Sequence, residues 1–414
     1  MLEQIEGSLG VAKAVALCRP GVVCAYPISP QTHIVENVGK FVKNGTLKDC
    51  DFLNVESEFS AISVAIGSEV GGARTYTATA SQGLLYMTEG VYSASGLGLP
   101  IVMTVASRAI GGPINIWNDH SDSLSQRDSG WLQLFCESNQ DAVDTHIMAF
   151  KIAEEVGLPV MVCMDGFVLT HAFERLDIPS QETVDKFLPE YQPREYLTPK
   201  EPVSIGAMVG PEAFTEVRFL QQRKMAKALK VIEKVTKEYR DLTGSKSGGL
   251  LDCYNCENAD LKLVIMGSTV GTAKDEIDRL KAEGVNVGII SLKSFRPFPY
   301  EAMAKAIGDT KKVICLERAF SFGARGIVCP EVKRAMEGMN CDVKTVVAGL
   351  GGRPIFGTTI RGIVKDALAD KFTEEFTCFD VNADVLNSYT DKTEGVTFKN
   401  GPIAQSVLEN SVKD

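Results

Sequence analysis

Along the first part of the chain, apolar runs rich in β-branched residues alternate with stretches of helical period, the rhythm of a parallel sheet covered by helices. The pattern predicts a helix over 7–18, a strand over 21–25, a helix over 31–44 and a short strand over 52–55. A helix over 57–69, stopped by Gly71-Gly72, precedes a strand over 75–79, and another helix opens at Ser81-Gln82-Gly83. Further strands fall at 100–106 and 159–163, and 212–242 reads as one long, charged amphipathic helix. The run Gly244-Ser245-Lys246-Ser247-Gly248-Gly249 has the composition of a flexible joint. A second βαβ set follows: a strand over 261–266, a helix opened by Gly267-Ser268-Thr269 that reaches 282, and strands over 285–290, 313–316 and 343–347. Gly349-Leu350-Gly351-Gly352 closes it, and 374–414 lacks strong period. The expectation is an α/β protein: a doubly wound domain over 1–240, a linker over 241–260, a second α/β domain over 261–373 and a C-terminal arm over 374–414.

Composition narrows the class. With 414 residues, 44% of them hydrophobic and 23% charged, the chain is globular, with room for two or three domains. A net charge of -10 argues against nucleic acid or an anionic membrane as partner, because phosphate binding needs a basic face. Residues 1–6 show no basic stretch leading into an apolar run, and no uncharged apolar stretch is long enough to span a bilayer, so a cytoplasmic location is expected. Of eleven cysteines, Cys18, Cys24, Cys163 and Cys315 lie in apolar patterns, where a thiol behaves as a small hydrophobe. The exception is Cys253-Tyr254-Asn255-Cys256, a CxxC that reads as a redox pair or half of a metal site, with no second CxxC to complete it. The four histidines, His33, His120, His146 and His171, show neither HExxH nor HxxxH spacing, so no metal ligand is assigned.

In open parallel sheets, ligands bind beyond the carboxyl ends of the strands. Four such ends carry polar groups here. The first delivers Ser29 in Tyr26-Pro27-Ile28-Ser29-Pro30, where two prolines stiffen the loop around one hydroxyl. The second delivers Glu56 and Glu58, the third Thr79, Ser81 and Gln82, and the fourth Ser107 and Arg108. If these strands are neighbours, the groups share one crevice. Each also has a plainer reading: a structural turn at Ser29, an acid favoured by the helix dipole at Glu58, a surface ion pair at Arg108. Small residues after Glu58 (Ser60, Ala61, Ala65, Gly67) point to a crowded, buried carboxylate, which needs a partner such as a ligand nitrogen. The planar fork of Arg108 suits a carboxylate. The loop over 111–120 mixes glycine with polar and aromatic residues, and its Asp119 and His120, with Asp122 just beyond, read as a solvated or interface loop sooner than as metal ligands.

Five segments together resemble the alpha subunit of the 2-oxoacid:ferredoxin oxidoreductase family, the pyruvate enzyme in particular. They are Tyr26-Pro27-Ile28-Ser29-Pro30-Gln31-Thr32, Val55-Glu56-Ser57-Glu58-Phe59-Ser60-Ala61, Thr79-Ala80-Ser81-Gln82-Gly83-Leu84, Ser107-Arg108-Ala109 and Trp117-Asn118-Asp119-His120-Ser121-Asp122. The likeness continues through Gly267-Ser268 and Gly349-Leu350-Gly351-Gly352-Arg353 and so covers most of the chain. It implies a thiamin diphosphate enzyme whose first domain binds the aminopyrimidine and whose second resembles the transketolase C-terminal domain. It implies that Glu58 bonds the pyrimidine, with Glu56 as competitor, that Tyr26, Pro27, Ile28, Ser81 and Gln82 surround the cofactor, and that Arg108 and Ser29 hold the 2-oxoacid. Ser29 stands where many relatives have threonine, which keeps the hydroxyl and removes a methyl.

Two absences matter. The chain has no Gly-Asp-Gly segment for magnesium and diphosphate, Met164-Asp165-Gly166 being the nearest text, and no CxxCxxCxxxC run for iron–sulfur clusters. The resemblance then implies beta, gamma and delta type partners that bring Mg2+, [4Fe-4S] clusters and much of a coenzyme A site, in a dimer of hetero-oligomers that passes electrons to ferredoxin. Three alternatives stay open: another 2-oxoacid (2-oxoglutarate, a branched-chain acid, indolepyruvate or oxalate), a non-catalytic assembly subunit of the same fold, or a CxxC redox module.

Overall fold

The computed structural model describes residues 2–384, so the predicted arm beyond 384 lies outside the described residues. Strand β1 (Leu2–Glu6) leads into α1 (Gly7–Leu17), and β2 (Val22–Ala25), α2 (Thr32–Lys43), β3 (Asp51–Asn54), α3 (Glu58–Val70) and β4 (Thr75–Thr79) alternate after it. Two short helices, α4 (Ser81–Tyr86) and α5 (Thr88–Leu97), precede β5 (Val102–Ser107). Next come α6 (Ser121–Ser125), β6 (Leu132–Phe135), α7 (Asn139–Val156) and β7 (Val160–Asp165). Strand β8 (Phe173–Asp177) pairs antiparallel with β1, α8 (Gln181–Phe187) follows, and α9 (Phe214–Thr243) is the long helix that the charge pattern predicts.

The second part runs β9 (Leu251–Tyr254), β10 (Leu261–Ile265), α10 (Thr269–Ala282), β11 (Val287–Leu292), β12 (Ser294–Arg296) and α11 (Tyr300–Ile307). It ends with β13 (Lys312–Glu317), α12 (Cys329–Ala335), β14 (Asp342–Val347), α13 (Gly357–Leu368) and β15 (Phe376–Cys378). The first sheet has seven strands in the order β12-β6-β7-β5-β4-β2-β3, and the second has six, β15-β14-β13-β10-β11-β9. All neighbours are parallel except β12 on β6 and β9 on β11. Strands β4, β5 and β7 are buried at every position, as central strands covered on both faces must be. The α/β expectation holds.

Two readings need correction. The joint at 244–249 is not free chain: the Ser245 and Ser247 hydroxyls each donate to Asp144 Oδ2 at 2.7 Å, and the Gly248 amide donates to Asp141 Oδ1 at 3.0 Å. The Arg240 guanidinium donates to the carbonyls of Lys246, Ser247 and Gly248. Composition marks these residues as solvent-loving, but their partners are buried acids on α7, about 100 residues away. Strand β9 then falls inside the stretch read as a linker, and β15 inside the stretch read as an arm. Strand β12 crosses from the second part to close the edge of the first sheet, and one apolar cluster joins Met103, Trp131 and Phe135 to Met266, Ile290 and Phe295. Among the described residues, no helix is long and apolar enough to cross a membrane.

Candidate active site at the carboxyl ends of β2 to β5

Strands β3, β2, β4 and β5 are consecutive in the sheet, so their exit loops do converge. The exits of β4 and β5 are held by one carboxylate. Asp122 Oδ2 accepts the amides of Ser81 (2.8 Å) and Arg108 (3.0 Å), and Oδ1 accepts the Ser123 amide (2.6 Å). Burial pushes the Asp122 pKa up to about 7 against the pull of these three amides. Ser81 adopts a positive φ of 49°, a strained backbone for a residue with a Cβ, and its hydroxyl donates to the Ala109 carbonyl at 2.5 Å. Of the solvated or interface readings of Asp119, His120 and Asp122, the solvated one therefore fails: all three are buried. Backbone N–H groups that leave two parallel strands without a ladder partner need an acceptor, and Asp122 supplies it.

The next layer brings the residues for a substrate together. Arg108 donates from Nη1 to the Ser29 carbonyl (2.8 Å), from Nε to the Asn115 carbonyl (3.2 Å) and from Nη2 to Gln82 Oε1 (3.4 Å). Three of the five guanidinium N–H groups are thus committed, which leaves two for a ligand. Burial lowers the Arg108 pKa while Asp122 raises it. Gln31, fully buried, donates to the carbonyls of Tyr26 (3.2 Å) and Ala78 (2.7 Å) and so ties the proline loop to β4. On that loop Tyr26, Pro27 and Ser29 are exposed, and Ile28 is half-buried.

Glu58 is the first residue of α3, whose N-cap Ser57 accepts the Ser60 amide at 3.2 Å. Its carboxylate is buried, and among the described residues no side chain or amide donates to it. Gly83 explains the room beside it: a Cβ there would lie 2.7 Å from Glu58 Oε1 and 2.6 Å from Thr79 Oγ1. Thr79 Oγ1 is itself buried without a partner. The unpartnered Thr79 oxygen and the Glu58 carboxylate therefore flank the missing side chain of Gly83, and the buried Thr79 oxygen costs stability unless a ligand satisfies it. Glu56, in contrast, is exposed and accepts the Ser60 hydroxyl at 2.6 Å, a bond that lowers its pKa. Consecutive residues link the two ends of the site: Gln82 touches Arg108, and Gly83 abuts Glu58.

A buried hub fixes the loop behind Arg108. Asp165 Oδ1 is 2.8 Å from His120 Nε2, and Oδ2 accepts from Arg318 Nη1 (3.0 Å), the Ser268 amide (3.0 Å) and the Ser268 hydroxyl (2.5 Å). Burial alone would raise its pKa, but His120, Arg318 and Ser268 outweigh that and hold it well below the ordinary carboxylate range. Asn115 donates to the Gly351 carbonyl (3.1 Å) and Asp119 Oδ2 accepts the Gly351 amide (3.2 Å), so the glycine run of the second part closes on the same loop. Arg318 gives no sequence signal. Asp165 sits in the Met-Asp-Gly text, which says nothing of a hub.

Other features lie apart. A cavity of about 940 Å3 is lined by the start of α7, the joint, β9 and neighbouring lysines, and holds none of the strand-end residues. Ion pairs cross it, with Lys293 at 2.6 Å from Asp141 and Lys274 at 2.7 Å from Glu137. All eleven cysteines are free; Cys253 is exposed and Cys256 half-buried.

A doubly wound sheet with an acid that has no protein donor at one strand exit and an arginine fork at another can hold a ligand between them. Comparison with known proteins gives the class. The family described as "Pyruvate flavodoxin/ferredoxin oxidoreductase, thiamine diP-bdg" matches residues 13–237, and "Pyruvate:ferredoxin oxidoreductase core domain II" matches 259–360. Pyruvate synthase subunit PorA of Methanosarcina barkeri is 44% identical, covering 87% of this chain and 91% of that protein. The PorA subunit of Methanocaldococcus jannaschii is 46% identical, over 87% and 93%. Ketoisovalerate oxidoreductase subunit VorA of Pyrococcus horikoshii is 39% identical, over 87% and 92%. In fold the chain is similar to the 2-oxoglutarate:ferredoxin oxidoreductase of Magnetococcus marinus (TM-score 0.66, 21% identity, 89% of this chain and 65% of that one). It is also similar to a split gene transketolase (TM-score 0.53, 14% identity, 89% and 99%). The chain belongs to the pyruvate flavodoxin/ferredoxin oxidoreductase family.

Proposed function

We propose that this chain is the alpha-type subunit of a pyruvate:ferredoxin oxidoreductase, which converts pyruvate and coenzyme A to acetyl-CoA and CO2 and passes two electrons to ferredoxin. The observation that carries the reading is the pairing of a buried, unpartnered Glu58 with an Arg108 that has two uncommitted N–H groups, bridged by Gln82-Gly83. Thiamin diphosphate fits the space beside the orphaned Thr79 oxygen and the Glu58 carboxylate, and when bound it supplies the nucleophilic carbon and the electron sink for decarboxylation. Glu58 accepts a hydrogen bond from a ring nitrogen and so biases the proton that an adjacent amino group must give up. Arg108 binds the 2-oxoacid carboxylate, and the Ser29 hydroxyl donates to the substrate. Tyr26, Pro27, Ile28 and Ser81 shape the walls. Glu56 is the weaker candidate for the cofactor role because it is exposed and its Oε1 already accepts the Ser60 hydroxyl.

The site is half of a site. We place Mg2+, the diphosphate contacts and the [4Fe-4S] clusters on beta, gamma and delta type partners, with two hetero-oligomers joined, in the cytoplasm. The domain boundary falls at the joint over 244–249, with β12 of the second part added to the first sheet. The greater identity to PorA than to VorA favours pyruvate over a branched-chain acid. Glu58→Gln in the assembled complex tests the catalytic assignment: assembly is retained and turnover on pyruvate falls at least ~100-fold. Undiminished activity in an intact complex would leave an assembly role as the better reading, and a preference for another 2-oxoacid across a substrate panel would overturn the pyruvate assignment.

A further inference from the structure

Glu6 ends β1, His33 is the second residue of α2, and His171 lies in the loop between β7 and β8. A ligand atom of each lies within 4.8 Å of the others. His33 Nδ1 is 2.7 Å from Glu6 Oε1, and the two imidazole rings face each other at 4.7 Å between centroids. A hydrogen-bonded Glu–His pair needs only one imidazole. The second is oriented from behind: His171 Nδ1 is 2.7 Å from the hydroxyl of Thr170, a fully buried residue. That hydroxyl also accepts the Phe167 amide at 2.8 Å, and the Thr170 carbonyl accepts the amide (2.9 Å) and hydroxyl (2.7 Å) of Ser8. The hydroxyl engages Nδ1 and so leaves Nε2 as the ring nitrogen available to a metal, and an outer partner of this kind is the usual support of a metal-binding histidine.

We infer that Glu6, His33 and His171 form a binding site for a divalent transition metal of the zinc class. Two imidazoles and one carboxylate suit zinc, whereas magnesium and calcium favour all-oxygen sets. Zinc bonds of about 2.0–2.2 Å in a tetrahedron place ligand atoms about 3.3 Å apart. The Glu6–His33 contact therefore opens by about 0.6 Å and His171 closes by at most about 1.5 Å, which the half-exposed His33 side chain permits. Water completes the fourth position. The site lies outside the catalytic machinery proposed above and does not depend on it. Its mechanical effect reaches the substrate loop, because His33 follows Ser29 by four residues and Pro30 packs against Gly166, where a Cβ would lie 2.6 Å from the proline Cγ. A bound metal ties the start of α2 to the amino-terminal strand and to the exit of β7.

The test is equilibrium dialysis of the tag-free, full-length chain against Zn2+ alone, followed by metal analysis. A single equivalent is expected, lost in His33→Ala and in His171→Ala while Glu174→Gln retains it. The same wild-type protein is treated with diethyl pyrocarbonate and mapped by mass spectrometry: Zn2+ slows modification of His33 and His171 at least fivefold, and Mg2+ does not. This second readout needs no variant to fold. Zinc retained equally by both histidine variants, or modification rates at His33 and His171 unchanged by zinc, would overturn the inference.

Discussion

Replacing Asp165 with asparagine removes the one carboxylate that serves two buried side chains from different halves of the molecule. Arg318 then keeps only neutral acceptors, Asn118 Oδ1 at 2.8 Å and the carbonyls of Asn118 (3.3 Å) and Gly349 (3.4 Å). An amide also has one oxygen where the carboxylate had two, so if it faces Arg318 and Ser268, its NH2 must meet His120. Removing one partner of a buried pair costs about 3–5 kcal/mol, and the surviving neutral acceptors put this case near the lower end, about 3 kcal/mol. The folded-state pKa of Asp165 is depressed, so below the unfolded value the unfolded chain binds more protons than the native one. The stabilisation is complete above roughly pH 5 and is lost as pH falls toward the folded value. Urea unfolding of the full-length chain, followed by circular dichroism, should show the full penalty at pH 7 and a smaller one near pH 3.5. A penalty under about 1 kcal/mol at pH 7, or one equal at both pH values, would refute the hub. The double variant Asp165→Asn/Arg318→Met should cost less than the sum of its parts.

Further outcomes follow from the same geometry. Arg108→Lys keeps the charge and loses the fork, so KM for the 2-oxoacid should rise about 10- to 100-fold in steady-state assays with a smaller change in kcat. Gly83→Ala sets a Cβ against Glu58 and Thr79, and thiamin recovered from the purified complex should fall at least ~10-fold. The hydrogen bond from the Cys256 thiol draws the pKa of the exposed Cys253 down to about 7, so iodoacetamide at pH 7 should label Cys253 ahead of the other ten cysteines in peptide mapping. Cys253→Ser with Cys256→Ser should leave ferredoxin reduction within about twofold of wild type, since Cys253 lies on β9 and Cys256 just beyond its end, away from the strand-end site.

What the sequence discloses depends on how local the cause is. Strand cores such as Thr75–Thr79 and helix caps such as Ser57 are decided by neighbouring residues, and the pattern finds them within a residue or two. Strand β6, with only Leu-Gln-Leu-Phe, is too short to stand out, and β12 is three residues whose strand character comes from a partner about 160 positions earlier. The convergence of Ser29, Gln82 and Arg108 follows from strand order, which loop chemistry anticipates. Asp122 looks like any polar loop residue until the amides that need it are in place. The pairing of His33 with His171 is invisible to spacing rules, because the order of the strands between them sets it.

Strand β12 also sets a clock. Until Ser294–Arg296 leaves the ribosome, β6 has no neighbour on its outer side, and about 160 residues must still be made after Leu134 appears. At about 5–20 residues per second, that is about ten to thirty seconds in which a sheet edge beside Trp131 and Phe135 stands open to any passing strand. The nascent first half therefore passes through an interval in which a chaperone has something to hold. A chain that stalls near the joint would expose that edge for as long as it stalls.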